Sequence, residues 1–145
     1  MPNDEPSLMA REKYQHTDTI REFLRDRSEL VQEQGLNYLI PNWQRFADQY
    51  ADTEKLIYQW LNDLDSRRII DEILATLLET ERKQIEQDLK PIDDIVLAKT
   101  FEVNECVWGD EVEKENNYNR QKHWYYYRMN DNVFESESGR FTKRD

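Results

Sequence analysis

One cysteine, two histidines and three glycines in 145 residues remove several kinds of chemistry at once. With Cys106 alone, no disulfide can form within the chain and a cysteine-rich metal site is excluded, so a reducing compartment is the default. His16 and His123 are too few for a histidine-built zinc site unless one of them meets Cys106 and a carboxylate. Three glycines rule out a glycine-rich phosphate cradle. Long apolar runs are absent as well, and nothing approaches the length needed to span a bilayer. The opening residues Met1-Pro2-Asn3-Asp4-Glu5-Pro6 lack both the basic start and the apolar stretch of a signal peptide. A cytoplasmic protein is expected.

Basic residues are also in the minority. Twenty Lys and Arg stand against 31 Asp and Glu, a net charge of −11, and phosphate-backbone affinity comes from neutralising phosphates with cations. Nucleic acid and anionic membrane are therefore not expected as partners. Charged residues make up 35% of the chain, which approaches the composition of disorder, but 12% aromatic residues is more than disordered chains carry. The chain is long enough for one domain with its own core and too short for two.

Periodicity divides the sequence into helices followed by strands. Residues 1–16 carry two prolines and little periodicity and read as a flexible arm. Thr19 and Glu22 resemble a capping box for a first helix bearing Ile20, Phe23, Leu24, Leu30 and Val31 and ending at Gly35. Leu36, Leu39, Ile40, Trp43, Phe46, Ala47 and Tyr50 recur at three and four, with Pro41 near the first turn of a second helix. Asp52 caps a third helix through Leu64, and Asp65 or Ser66 a fourth, whose stripe of Ile69, Ile70, Ile73, Leu74, Leu77, Leu78, Ile85 and Leu89 runs to Pro91. Beyond Pro91, Ile95-Val96-Leu97 and Thr100-Phe101-Glu102-Val103 favour strands, a polar loop follows from Gly109 to about Asn119, and Asn130-Asp131-Asn132 reads as a turn into Val133-Phe134. The expectation is an α+β domain over residues 17–135. About four helices (17–90) pack on an antiparallel meander of two or three strands (95–135), and a mobile tail covers 136–145.

The least ordinary chemistry lies in the segment Asn119-Arg120-Gln121-Lys122-His123-Trp124-Tyr125-Tyr126-Tyr127-Arg128. As a strand it would place His123, Tyr125 and Tyr127 on one face and Lys122, Trp124, Tyr126 and Arg128 on the other. Tyr, Trp and Arg are the residue types most enriched at binding hot spots, so Trp124, Tyr126, Arg128 and Lys122 form the candidate anchor. The neighbouring acids Asp110, Glu111 and Glu113 form the candidate steering loop for a partner protein with a basic surface, since an acidic surface raises encounter rates with basic proteins. Their spacing does not match a calcium loop, no metal or other cofactor is expected, and no residue is assigned a catalytic role.

The function expected from these features is a small acidic, non-enzymatic protein-binding module, of the inhibitor, immunity, antitoxin or adaptor kind. One alternative is a metal-assisted or acid–base hydrolase using Asp93, Asp94, Glu102 and Glu105 with His123, and a third is an acidic mimic of nucleic acid. Asp63, Asp65, Arg67, Arg68, Asp71 and Glu72 read as opposite charges decorating an exposed helix.

Overall fold

Apolar residues at three-and-four spacing dominate the first hundred positions, and the backbone follows them. The computed structural model describes Lys13, Tyr14 and residues 18–144. Helix α1 spans Asp18–Phe23, α2 Glu29–Gln34, α3 Leu36–Arg45, α4 Ile57–Leu74 and α5 Glu79–Lys99, with a π-helical turn at Phe46–Tyr50 prolonging α3. The single first helix expected from the sequence is thus divided. Ser28 caps α2 by accepting from the Val31 amide at 3.4 Å, whereas Thr19 lies inside α1 and is not its cap. Gly35, at φ 51°, allows the sharp change of direction from α2 into α3.

Two helix boundaries differ from expectation. No break occurs at Asp65 or Ser66; α4 runs through both, and the chain turns between Ala75 and Leu78 instead. Pro91 does not end α5 but lies within it. A proline inside a helix costs about 3 kcal/mol through a lost hydrogen bond and a ring clash. Here Ile85, Leu89, Ile92 and Val96 form one continuous buried stripe across it, and Pro91 sits on the exposed face, where the carbonyl left without its partner can be hydrated. Ile95-Val96-Leu97 is consequently helix, not strand.

The sheet has two strands, within the two or three expected, so the α+β architecture holds with helix predominating. Strand β1, Phe101–Glu102, pairs antiparallel with β2, Arg128–Met129, Phe101 lying opposite Met129 and Glu102 opposite Arg128. The loop expected between Gly109 and Asn119 contains helix α6, Asp110–Asn116. Gly109 at φ 94° opens it, and left-handed Asn117 at φ 56° closes it. The turn at Asn130 leads into α7, Asp131–Ser136, not a strand. Asn130 is 2% exposed and fully engaged: its Oδ1 accepts from the Val133 amide, while its Nδ2 donates to the carbonyls of Ala51 and Thr53. One side chain thereby caps α7 and pins the loop before α4.

Both ends of the described chain are held. The expected mobile tail returns along β1: Val103 bridges Lys143, Asn104 N–H donates to Thr142 O at 2.9 Å, Arg144 N–H donates to Glu102 O at 2.9 Å, and Phe141 is fully buried. Within the expected arm, the amides of Lys13 and Tyr14 both donate to Asn37 Oδ1, Asn37 Nδ2 donates back to Tyr14 O, and the Tyr14 hydroxyl donates to Asp88 at 2.9 Å. The rest of that arm lies outside the described residues.

One apolar cluster joins all layers. Trp43 stacks on Phe46 with ring centroids 5.1 Å apart, and Phe46 tilts against Trp60 at 5.4 Å. Where helix meets sheet, Ile70, Ile73, Leu74, Val103, Tyr125 and Tyr127 are buried, while Leu77 and Phe101 are half-buried. No helix among the described residues is long and apolar enough to cross a membrane. Because Phe141 closes this core, Phe141→Ala is expected to cost about 3–5 kcal/mol in a urea unfolding titration. A midpoint equal to the parent's would mean that the tail does not contribute to the fold.

Candidate functional site

In the charged stretch of α4, Arg67 is buried and Asp63, Asp65, Arg68, Asp71 and Glu72 are half-buried, contrary to its reading as surface decoration. Arg67 is 7% exposed and makes a bidentate pair with Asp93 of α5, Nε to Oδ1 and Nη2 to Oδ2 both at 3.0 Å. Its Nη1 donates to Asp71 Oδ1, and Asp93 Oδ1 also accepts from the Trp43 indole at 2.9 Å. Burial by itself lowers the Arg67 pKa, but the hydrogen bonds and charges of Asp93 and Asp71 outweigh it and raise the value above the ordinary one. The guanidinium is permanently charged and fully matched. Alongside, Arg68 Nε donates to Asp65 at 2.9 Å and its Nη1 to Glu72, which also accepts from Arg27 at 3.2 Å.

The aromatic segment docks on these carboxylates as a 3₁₀ turn, Trp124–Tyr127, instead of a strand. Three residues per turn fan successive rings in three directions, and each tyrosine hydroxyl reaches its own acid. Tyr125 donates to Asp71 at 2.7 Å, Tyr126 to Asp65 at 3.0 Å, and Tyr127 to Glu113 of α6. Burial first, then the neighbouring acids, push all three phenols above their usual pKa. Tyr126 is 0% exposed, which removes it from any exposed anchor. The other expected anchor residues divide: Trp124 and Arg128 are half-buried and Lys122 is exposed. In the steering set, Asp110 and Glu111 stand exposed on α6, whereas Glu113 is half-buried and tied to Tyr127.

Of the acid–base set, Asp93, Asp94 and Glu102 line one cleft, Glu105 and His123 do not, and all five are engaged in contacts within the chain. Asp93 belongs to Arg67 and Trp43, Asp94 pairs with Lys90 at 3.1 Å, Glu102 with Arg120 at 3.1 Å, and Glu105 with Arg140 at 3.9 Å. The imidazole of His123 packs against Tyr118 with centroids 5.0 Å apart, and its Nδ1 accepts from the Asn119 amide at 3.1 Å. Burial and then Lys122 lower its pKa. Cys106 is fully buried, and burial raises the pKa of its thiol, so it is no activated nucleophile. Among the described residues, no group of three or more His, Cys, Asp or Glu side chains is placed to hold a metal ion.

What the structure does bring together is a cleft of about 850 Å³ between α4, α5, β1 and the segment 120–128. Arg67 and Asp71 form part of its lining, with Glu86, Lys90, Asp94 and Leu97 along α5. Glu102, Arg120, Gln121, Trp124, Arg128 and Arg144 line it from the sheet and turn. Leu97 is 39% exposed there, an apolar side chain lining the same cleft as the half-buried Trp124. The sequence pattern concealed Leu97, because Ile95-Val96-Leu97 reads as strand, and Arg144, because the tail carries no periodicity.

Two outcomes follow from the buried network. Asp93→Asn leaves Arg67 short of one countercharge in a nearly dry site and is expected to cost about 3–5 kcal/mol in denaturant titrations; a loss below about 1 kcal/mol would mean that Asp71 alone suffices. Raised tyrosine pKa values mean that the folded chain keeps phenolic protons which the unfolded chain releases. This contribution is fully present below about pH 10, the unfolded value, and is lost as pH rises above it. Thermal melts between pH 8 and 11 should therefore show Tm falling above about pH 10, with a shallower slope in Tyr125→Phe. An equal slope would exclude Tyr125 from the effect. Against families of related proteins, against curated proteins and against solved structures, this chain finds no match.

Proposed function

We propose that this chain is a non-enzymatic protein-binding module whose docking site is the cleft beside Trp124, with the acidic outer surface steering a partner that carries a basic face. The observation that carries the reading is the pairing, within one cleft, of an apolar floor with already ordered polar groups. Leu97 and the half-buried Trp124 offer apolar surface, and Arg67, Lys90 and Arg120 in the same lining are paired with carboxylates inside the chain. A preorganised cleft of this kind binds without the entropy cost of ordering its own side chains. Trp is also the residue most able to anchor a partner at the centre of an interface. The net charge of −11 and the exposed Asp110 and Glu111 supply the long-range attraction.

Acid–base catalysis draws less support. The Asp93 carboxylate is occupied by Arg67 and Trp43, while Glu105 and His123 are not part of the cleft lining. A nucleic-acid mimic would need acids spaced over one continuous face, and the cleft interrupts the acidic surface with Arg120, Arg128 and Arg144.

The test is capture of native partners from the source cell, followed by binding kinetics on variants that keep the parent's near-ultraviolet circular dichroism. Trp124→Ala is expected to hasten dissociation, with a loss of about 2 kcal/mol or more. Asp110→Asn with Glu111→Gln should mainly slow association and flatten its salt dependence, since exposed charges act at long range and are screened within about 8 Å at physiological salt. Parental affinity in the folded Trp124→Ala protein would sink the assignment of this face.

A further inference from the structure

The sign of the charge changes across the cleft. On the α5 wall Glu86 and Asp94 are exposed, and Lys90 is bound to Asp94 at 3.1 Å. The opposite wall carries three guanidinium groups, those of Arg120, Arg128 and Arg144, and one carboxylate, Glu102, which pairs with two of them. Glu102 takes Arg120 at 3.1 Å and Arg144 at 3.8 Å. Arg128 has no carboxylate within ion-pair distance among the described residues. Its Nε donates to Thr100 Oγ1 at 2.7 Å, and its Nη2 to the carbonyls of Thr100 and Leu97 at 2.9 and 3.4 Å, all neutral acceptors. Burial lowers its pKa, and the charge of Glu102 offsets this only in part. On this wall alone three cations face one anion, a local surplus of positive charge on the side of the cleft that carries Trp124, in a chain whose net charge is −11.

Such a surplus, partly removed from water, is matched by an anion that brings its own oxygen atoms. Among the described residues Nη1 of Arg128 is the one nitrogen of that guanidinium without a hydrogen bond inside the chain, a single donor that one carboxylate oxygen matches. We propose that the cleft takes a segment of the partner protein in which an apolar side chain rests on Trp124 and Leu97 and the adjacent aspartate or glutamate is held by Arg128 and Arg144. Basic residues of the same segment would face Glu86 and Asp94, which reconciles a partner basic at long range with an acid at the point of contact. This proposal rests on the protein-binding reading above and adds the chemistry of what is recognised.

Two blocked dipeptides, N-acetyl-Leu-Glu-amide and N-acetyl-Leu-Gln-amide, differ in one charge and provide the test. They are titrated into the intact protein while the Arg128 Nε–H and Trp124 indole N–H signals are followed by NMR, with inorganic phosphate as a third probe. The glutamate peptide is expected to move both signals and to bind roughly tenfold more tightly than its glutamine counterpart, the ratio that one charge-assisted hydrogen bond sustains. Arg144→Gln, at a side chain that is 50% exposed, should keep the fold and diminish that ratio. Equal binding of the two peptides, movement of neither signal, or tighter binding of phosphate than of the glutamate peptide would overturn the proposal. Failure at this step is separable from failure of the protein-binding reading. If a captured partner is weakened by Trp124→Ala but not by Arg144→Gln, and the two peptides bind alike, the carboxylate is wrong and the docking face stands. If Trp124→Ala leaves the partner's affinity unchanged, both fall.

Discussion

The guanidinium of Arg67 is the constraint on which the arrangement of this chain depends. It lies between α4 and α5, closes both oxygens of Asp93, and through Asp71 reaches the hydroxyl of Tyr125. Asp93 in turn holds the indole of Trp43 on α3. Three helices and the aromatic turn thus meet around one charge. Removing an ion pair from water costs several kcal/mol per ion and is offset only when geometry and hydrogen bonding are complete. Here the planar fork of arginine satisfies two carboxylates at once, which the point charge of lysine could not do. Whatever it contributes to stability, the arrangement is directional, and it fixes the rotation of α4 against α5 where apolar packing alone would accept several.

The same geometry explains why so charged a chain leaves few acids free for chemistry in its interior. Each buried or half-buried tyrosine of the turn needs an acceptor, and Asp71, Asp65 and Glu113 are those acceptors. Trp60 completes the pattern by donating its indole N–H to the carbonyl of Arg128 at 3.0 Å, which joins α4 to β2. Trp43, Trp60, Tyr125, Tyr126 and Tyr127 are therefore held at both ends, apolar body in the core and polar tip on an acid or a carbonyl. Trp124 departs from this pattern: it is half-buried in the cleft lining and stands edge-on to Tyr125 at 5.5 Å.

Local pattern carried much of this fold, and long-range pairing carried the rest. The stripe from Leu36 to Tyr50 and the apolar positions of α4 were legible because helical periodicity is a property of neighbours in sequence. Pro91 misled because its penalty is local, while the burial of Ile92 and Val96 that offsets it depends on elements far away. Asp65 looked like a cap for the same reason; its true partners, Arg68 and Tyr126, include one that lies 61 residues on. Consecutive aromatics suggested a strand by propensity, and three carboxylates in three directions chose a 3₁₀ turn. Of the candidate anchor, Trp124 and Arg128 reach the cleft and Tyr126 does not, a division no periodicity could express. Arg144 entered the cleft through the bridge between Val103 and Lys143, for which a tail without periodicity gives no signal.

That bridge bears on the order in which the molecule is assembled. Synthesis delivers α1 to α5 first, and α5 can already pack against α3 and its π-helical extension before the rest of the chain exists. Strand β1 follows them directly, yet its ladder partner starts at Arg128, and the tail that lies along it starts later still, with Phe141 filling the core. Until those residues emerge, the indole of Trp60 lacks its acceptor on Arg128 and the aromatic face of α4 stays open. The nascent helices thus present a sticky surface for the time needed to make the last third of the chain. Residues 1–100 already carry a net charge of −8, and this like charge keeps such chains apart during synthesis.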